Sequence, residues 1–164
     1  KNPKKKLPVQ SMKKFAERIL PLGWHIELLL HVDNYPRLDD ELSDFPVDLV
    51  VGHLGYFDPG KTPEDNGFQS LIKLMKAKRC WTKLTGPYRL SIEEYPYKNV
   101  TPFAACLIEE AADQLVWGSD WPHVCVKTSM PNDGKLLDLL SVWSKQSEIH
   151  HKILVENPTR LYDF

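Results

Sequence analysis

Several side chains able to do chemistry stand where apolar runs end. In Leu115-Val116-Trp117-Gly118-Ser119-Asp120-Trp121-Pro122-His123 a strand-like segment gives way to Gly-Ser, then delivers an aspartate three residues ahead of a histidine. Asp120 lies between Trp117 and Trp121, which are predicted to exclude water and raise its pKa. Such a group serves as a general base or a metal ligand; the plainer reading of Gly-Ser-Asp is a turn or helix cap. His53 ends the run Asp48-Leu49-Val50-Val51-Gly52-His53-Leu54-Gly55, between two glycines that let a ligand come close. It can donate a hydrogen bond to a carbonyl oxygen or bind a metal, or be a satisfied core histidine. In Lys83-Leu84-Thr85-Gly86-Pro87-Tyr88-Arg89, Arg89 follows a strand in a Gly-Pro loop. There a guanidinium can hold a carboxylate by two parallel hydrogen bonds, or form a surface salt bridge. Lys83, inside the strand, is expected to snorkel. His25 is expected to pack, and His31 to end a strand, where it competes with Asp33, Asn34 and Tyr35 for a site. His150 and His151 read as surface residues.

The elements that must position these groups are visible as periodicity. Four apolar runs read as strands buried on both faces: 24–30, 47–52, 80–85 and 114–118. Between them apolar residues recur every three or four positions, as on one helix face. The sets are Met12, Phe15, Ala16 and Ile19; Phe68, Leu71, Ile72 and Met75; Val100, Phe103, Ala104, Leu107, Ile108 and Ala111; Leu136, Leu137, Leu140 and Trp143; and a short last helix through Ile149, Ile153 and Leu154. Alternating β and α elements predict a parallel sheet, either doubly wound or part of a (β/α)8 barrel. No glycine-rich phosphate loop follows a strand, and useful polar residues follow three of the four, which favours the barrel. Four strands make half of one, and its open edges predict association with a second copy or a complementary half-barrel.

With 164 residues, 42% of them hydrophobic, the chain suits one domain with a real core. A net charge of −1 gives no electrostatic case for nucleic acid or a membrane surface; the run Lys4-Lys5-Lys6 reads as a solvated terminal segment. No apolar run is long enough to span a bilayer. Cys80, Cys106 and Cys125 lack metal-site spacing and read as reduced thiols of a cytoplasmic protein. The first residue is Lys1, and the start reads as the middle of something longer.

Five stretches occur together and in order: Gly23-Trp24-His25-Ile26-Glu27-Leu28, Val51-Gly52-His53-Leu54-Gly55, residues 83–91, Val116-Trp117-Gly118-Ser119-Asp120-Trp121-Pro122-His123, and the ending Glu156-Asn157-Pro158-Thr159-Arg160-Leu161-Tyr162-Asp163-Phe164. In these the chain resembles the amidohydrolase superfamily, more closely its metal-independent branch of pyrone-dicarboxylate and sugar lactonases. The resemblance implies an α/β fold, a distorted (β/α)8 TIM-like barrel, of which residues 1–164 are a single amidohydrolase-related domain supplying strands five to eight. It implies that Asp120 is the water-activating aspartate, His53 the sixth-strand histidine, and Arg89 a residue that binds a substrate carboxylate. The family's first-strand His-x-His pair occurs nowhere here. The chain is therefore expected to be the C-terminal half of an enzyme, or a truncated relative that must associate to work.

The leading expectation is a hydrolase that opens a carboxylated lactone or similar cyclic ester. Asp120 deprotonates water, His53 hydrogen-bonds the carbonyl oxygen, Arg89 anchors a small-molecule carboxylate, and Tyr88 and His123 orient substrate or Asp120. No cofactor is required. One alternative places a divalent metal such as zinc on Asp120 and histidines from outside the chain, giving a metal-dependent hydrolase or decarboxylase. The other is a non-catalytic half-barrel that acts only through association.

Overall fold

The computed structural model describes residues 7–126 and 129–164, so the Lys4-Lys5-Lys6 reading lies outside the described residues. Four β/α units follow one another. Helix α1 (Val9–Ile19) precedes β1 (Ile26–Leu28), and the short α2 (Leu38–Leu42) precedes β2 (Leu49–Val51). Next come α3 (Asn66–Lys76), β3 (Cys80–Leu84), α4 (Thr101–Ala111), β4 (Leu115–Trp117) and α5 (Asp133–Trp143). The strands lie side by side in chain order, β1-β2-β3-β4, and every pair is parallel. A doubly wound sheet reverses its strand order at a switch point. An unreversed order is what a barrel wall requires, so strand order decides a choice that hydrophobic periodicity left open.

Alternate residues of each strand face opposite sides. Leu49, Val51, Cys80, Leu84 and Leu115 join the main core beneath the helices. Val50, Trp81 and Val116 face the other way and pack with Leu161 from the end of the chain. That second face also carries an ion pair, Lys83 Nζ to Glu27 Oε1 at 2.5 Å, so Lys83 is paired as well as partly buried. Here the expectation of strands buried on both faces fails for β1. Glu27 is exposed and Ile26 and Leu28 are half-buried.

Two helical stripes also differ from expectation. In α5 the buried set is Leu136, Leu139, Leu140 and Trp143, while Leu137 points outward; one step along a helix turns about 100°, which carries Leu137 off the stripe. In α1, Phe15 is exposed beside buried Ala16. The expected last helix is three segments: α6 (Ser147–His151), a π-turn over Lys152–Glu156, and α7 (Asn157–Tyr162). Pro158 has no N–H for the helical ladder, and the wider turn buries Ile153 while leaving Leu154 partly exposed. Asn157, fully buried, donates through Nδ2 to Ala112 O (2.8 Å) and Leu115 O (2.6 Å), tying α7 to the start of β4. His150, expected at the surface, is half-buried and places Nε2 between Leu140 O (3.2 Å) and Ser144 O (3.0 Å). Among the described residues no helix is long and apolar enough to cross a membrane.

Candidate active site

The ends of β2, β3 and β4 converge. His53 stands two residues past β2, Tyr88 and Arg89 lie in the turn after β3, and Asp120 and His123 follow β4. Their loops are held by the core: Phe57, just past His53, stacks on Phe103 of α4 (ring centroids 3.5 Å apart) and meets Phe68 of α3 edge-on. Three of the five residues have left-handed backbone: His53 (φ 48°), Asp120 (φ 68°) and His123 (φ 57°). For side chains other than glycine this conformation costs about 1 kcal/mol or more apiece and persists only where the surroundings impose it.

Asp120 is the hub. Its Oδ2 accepts from Tyr88 Oη (2.5 Å) and from Arg89 Nε (2.5 Å). Its Oδ1 faces His53 Nε2 at 3.9 Å, too long for a hydrogen bond and close enough that one oxygen set to the side of the pair could contact both. The expected rise in the Asp120 pKa is corrected here. Burial does push it up, but the hydrogen bonds from Tyr88 and Arg89 and the charge of Arg89 outweigh it and hold the carboxyl below its ordinary range. Trp121 is 75% exposed and shields little. Arg89 is 14% exposed, so it is no surface salt bridge. Its Nη2 donates to Val124 O at 3.0 Å, and among the described residues no group bonds Nη1.

His53 is anchored by Thr85, a residue that sequence reasoning passed over. Thr85 Oγ1 accepts the His53 backbone N–H (3.2 Å) and lies 2.9 Å from Nδ1. If the hydroxyl hydrogen goes to Nδ1, the ring hydrogen sits on Nε2, aimed at the gap beside Asp120. Tyr56 closes the other side, edge-on at 5.1 Å. Burial lowers the His53 pKa more than the Asp120 charge raises it, which keeps the ring a neutral donor. Burial and the Asp120 bond push the Tyr88 hydroxyl upward, so it stays protonated. His123 is 5% exposed, with Nδ1 3.0 Å from Tyr88 Oη and Nε2 2.8 Å from Asp133 Oδ1. Asp133 was not legible: in sequence it is an acid at a helix start. Two weaker candidates stand apart. His31 lies over Tyr56 and near Asp58, and His25 packs edge-on against Tyr162.

Among the described residues no group of three His, Cys, Asp or Glu side chains converges to hold a metal ion. Asp120 and His53 are two donors at most, and the Arg89 cation already occupies one carboxylate oxygen. The residues of this chain do not by themselves fit a metal. A cavity of about 360 Å³ opens beside Tyr88, lined by Tyr95, Tyr97, Asn132 and Lys135 among others. That is the size range of small-molecule pockets.

An amidohydrolase family model matches residues 2–164. The chain belongs to the amidohydrolase family. Within that family it is 35% identical over 164 residues to a 2-pyrone-4,6-dicarboxylate hydrolase of Comamonas testosteroni, an alignment covering 94% of this chain and 54% of the relative. It is 36% identical over 144 residues to a 4-sulfomuconolactone hydrolase of Hydrogenophaga intermedia, covering 86% and 47%. Among amidohydrolase structures, a probable 2-pyrone-4,6-dicarboxylic acid hydrolase of Acinetobacter baumannii with citric acid bound superposes with a TM-score of 0.81 at 28% identity, covering 99% of this chain and 61% of that one. The chain thus spans about half the length of the curated relatives it matches, and its four-stranded parallel sheet corresponds to part of a TIM barrel.

Proposed function

We propose that this amidohydrolase half carries the water-activating side of a lactone-hydrolysing site. The observation that carries the reading is the free Oδ1 of an anionic Asp120 facing the Nε2 edge of a neutral histidine across 3.9 Å. A water bound to Oδ1 gives it one proton while its oxygen attacks the lactone carbonyl carbon. The carbonyl electrons move onto oxygen, where the His53 Nε2–H receives them. The ring C–O bond then breaks, and the leaving oxygen takes the proton back from Asp120. The new carboxylic acid ionises.

The other side chains prepare this step. Tyr88 and Arg89 hold Oδ2 and keep Asp120 a carboxylate at neutral pH, while His123 buttresses Tyr88. The Arg89 Nη1 remains for a substrate carboxylate. A cyclic ester with one or more carboxylates, of the kind named for the Comamonas relative, fits this charge pattern. The mechanism needs no metal ion. The test is Asp120→Asn in the native polypeptide that carries this chain. Turnover of 2-pyrone-4,6-dicarboxylate is expected to fall about a hundredfold or more with substrate binding kept; unchanged turnover removes Asp120 from the mechanism.

A further inference from the structure

We infer that Asp133, at the start of α5, is a positioning residue for Asp120, acting through His123 and Tyr88. The inference rests on the reading of Asp120 as the base. Four groups stand within contact distance in one line: Asp133 Oδ1 to His123 Nε2 at 2.8 Å, His123 Nδ1 to Tyr88 Oη at 3.0 Å, and Tyr88 Oη to Asp120 Oδ2 at 2.5 Å.

The direction of the line follows from donor chemistry. A carboxylate only accepts, so the bond to Asp133 requires a hydrogen on His123 Nε2. In the neutral ring Nδ1 is then an acceptor, and it faces the Tyr88 hydroxyl. That hydroxyl has one hydrogen and two acceptors, Asp120 Oδ2 and His123 Nδ1. Its hydrogen lies on the shorter contact, to Asp120 Oδ2 at 2.5 Å, and His123 Nδ1 competes for it at 3.0 Å; Asp120 stands with Oδ2 inward and Oδ1 toward His53. The anchor of the line is rigid: Asn132 Oδ1 accepts from Lys135 N at 3.0 Å and fixes the first turn of the 11-residue helix α5. Within the line the His123 side chain is 5% exposed, whereas the Asp133 side chain is 51% exposed. An acid in a helix first turn has a simpler use, complementing the helix dipole. That use does not require an imidazole partner, and it does not distinguish one tautomer of His123 from the other.

A carboxylate only accepts, whereas an asparagine at 133 can donate through Nδ2 as well as accept through Oδ1, and in the donating orientation its N–H faces Nε2. The ring hydrogen then moves to Nδ1, which donates to Tyr88, and the Tyr88 hydrogen goes wholly to Asp120. The base is weakened without any loss of substrate contacts. The experiment compares Asp133→Asn and Asp133→Glu in the native polypeptide that carries this chain, with 2-pyrone-4,6-dicarboxylate as the probe. For Asp133→Asn, kcat is expected to fall about tenfold or more with KM within about twofold. Asp133→Glu, which keeps an acceptor-only carboxylate, recovers most of that loss. Independently of activity, 1H–15N spectra of the His123 ring should show the hydrogen on Nε2 in the unaltered protein and on Nδ1 in Asp133→Asn. Native kcat in Asp133→Asn, equal losses in both variants, or an unchanged tautomer overturns the inference. If Asp120→Asn abolishes turnover while Asp133→Asn does not lower it, only the positioning role fails. If Asp120→Asn turns over normally, the proposed function fails first.

Discussion

Gly86 offers the most direct probe of how tightly the site is built. It lies at φ +57°, in the turn that follows β3. A Cβ there would sit 2.8 Å from His53 Nδ1, 3.0 Å from Asp120 Oδ2 and 3.2 Å from Arg89 Cδ. All three are closer than ordinary contact, so Gly86→Ala must push Asp120 and His53 aside by about half an ångström. The left-handed backbone costs an alanine about 1 kcal/mol, and straining the bond between His53 Nδ1 and Thr85 adds about 1 kcal/mol. The expected destabilisation is about 2–3 kcal/mol, a fall in Tm of about 5–10 °C for a chain of this length. Displacing reacting groups by a fraction of an ångström to an ångström costs turnover about ten- to a hundredfold. Gly60→Ala is the control, because Gly60 has φ +87° and a Cβ there meets nothing within 4 Å. It is expected to lose about 1 kcal/mol and no turnover. Thermal unfolding and kcat would be read on both variants. If Gly86→Ala behaved like Gly60→Ala, the site would be looser than these distances state, and the argument from them would be wrong.

Two further outcomes follow from buried groups. The folded His53 pKa lies below the unfolded value near 6.5, so the unfolded state binds the extra proton first. Stability is complete above that value and is lost as pH falls through 6.5 toward the folded pKa; His53→Gln should flatten this loss in denaturant titrations at about pH 7.5 and about pH 5.5, and an unaltered slope would count against a neutral, buried His53. Asn157→Asp removes both donors to Ala112 O and Leu115 O and places a carboxylate against two carbonyl oxygens. It is expected to cost about 3 kcal/mol or more by chemical unfolding, and a loss under about 1 kcal/mol would mean that α7 is not held to β4 in this way.

Sequence by itself determined the β/α order and the chain positions of His53, Arg89 and Asp120. Short apolar strands must end in turns, and a polar residue at such an end is conspicuous against the run before it. It also marked most helix faces, since burial of one stripe imposes a 3.6-residue period; Leu137 and Phe15 escaped because a stripe's edge depends on what packs against it. Tertiary structure alone decided the rest. Strand order, not periodicity, separated a barrel wall from a doubly wound sheet. The direction of the Asp120 pKa depended on Tyr88 and Arg89, more than thirty residues away in sequence, outweighing the burial that the flanking tryptophans suggested. Thr85 and Asp133 carried no signal, because a threonine ending a strand and an acid opening a helix already have ordinary local uses. Local pattern reports what a residue does for its own element; which groups share a proton is settled only when separate elements bring them within 3 Å.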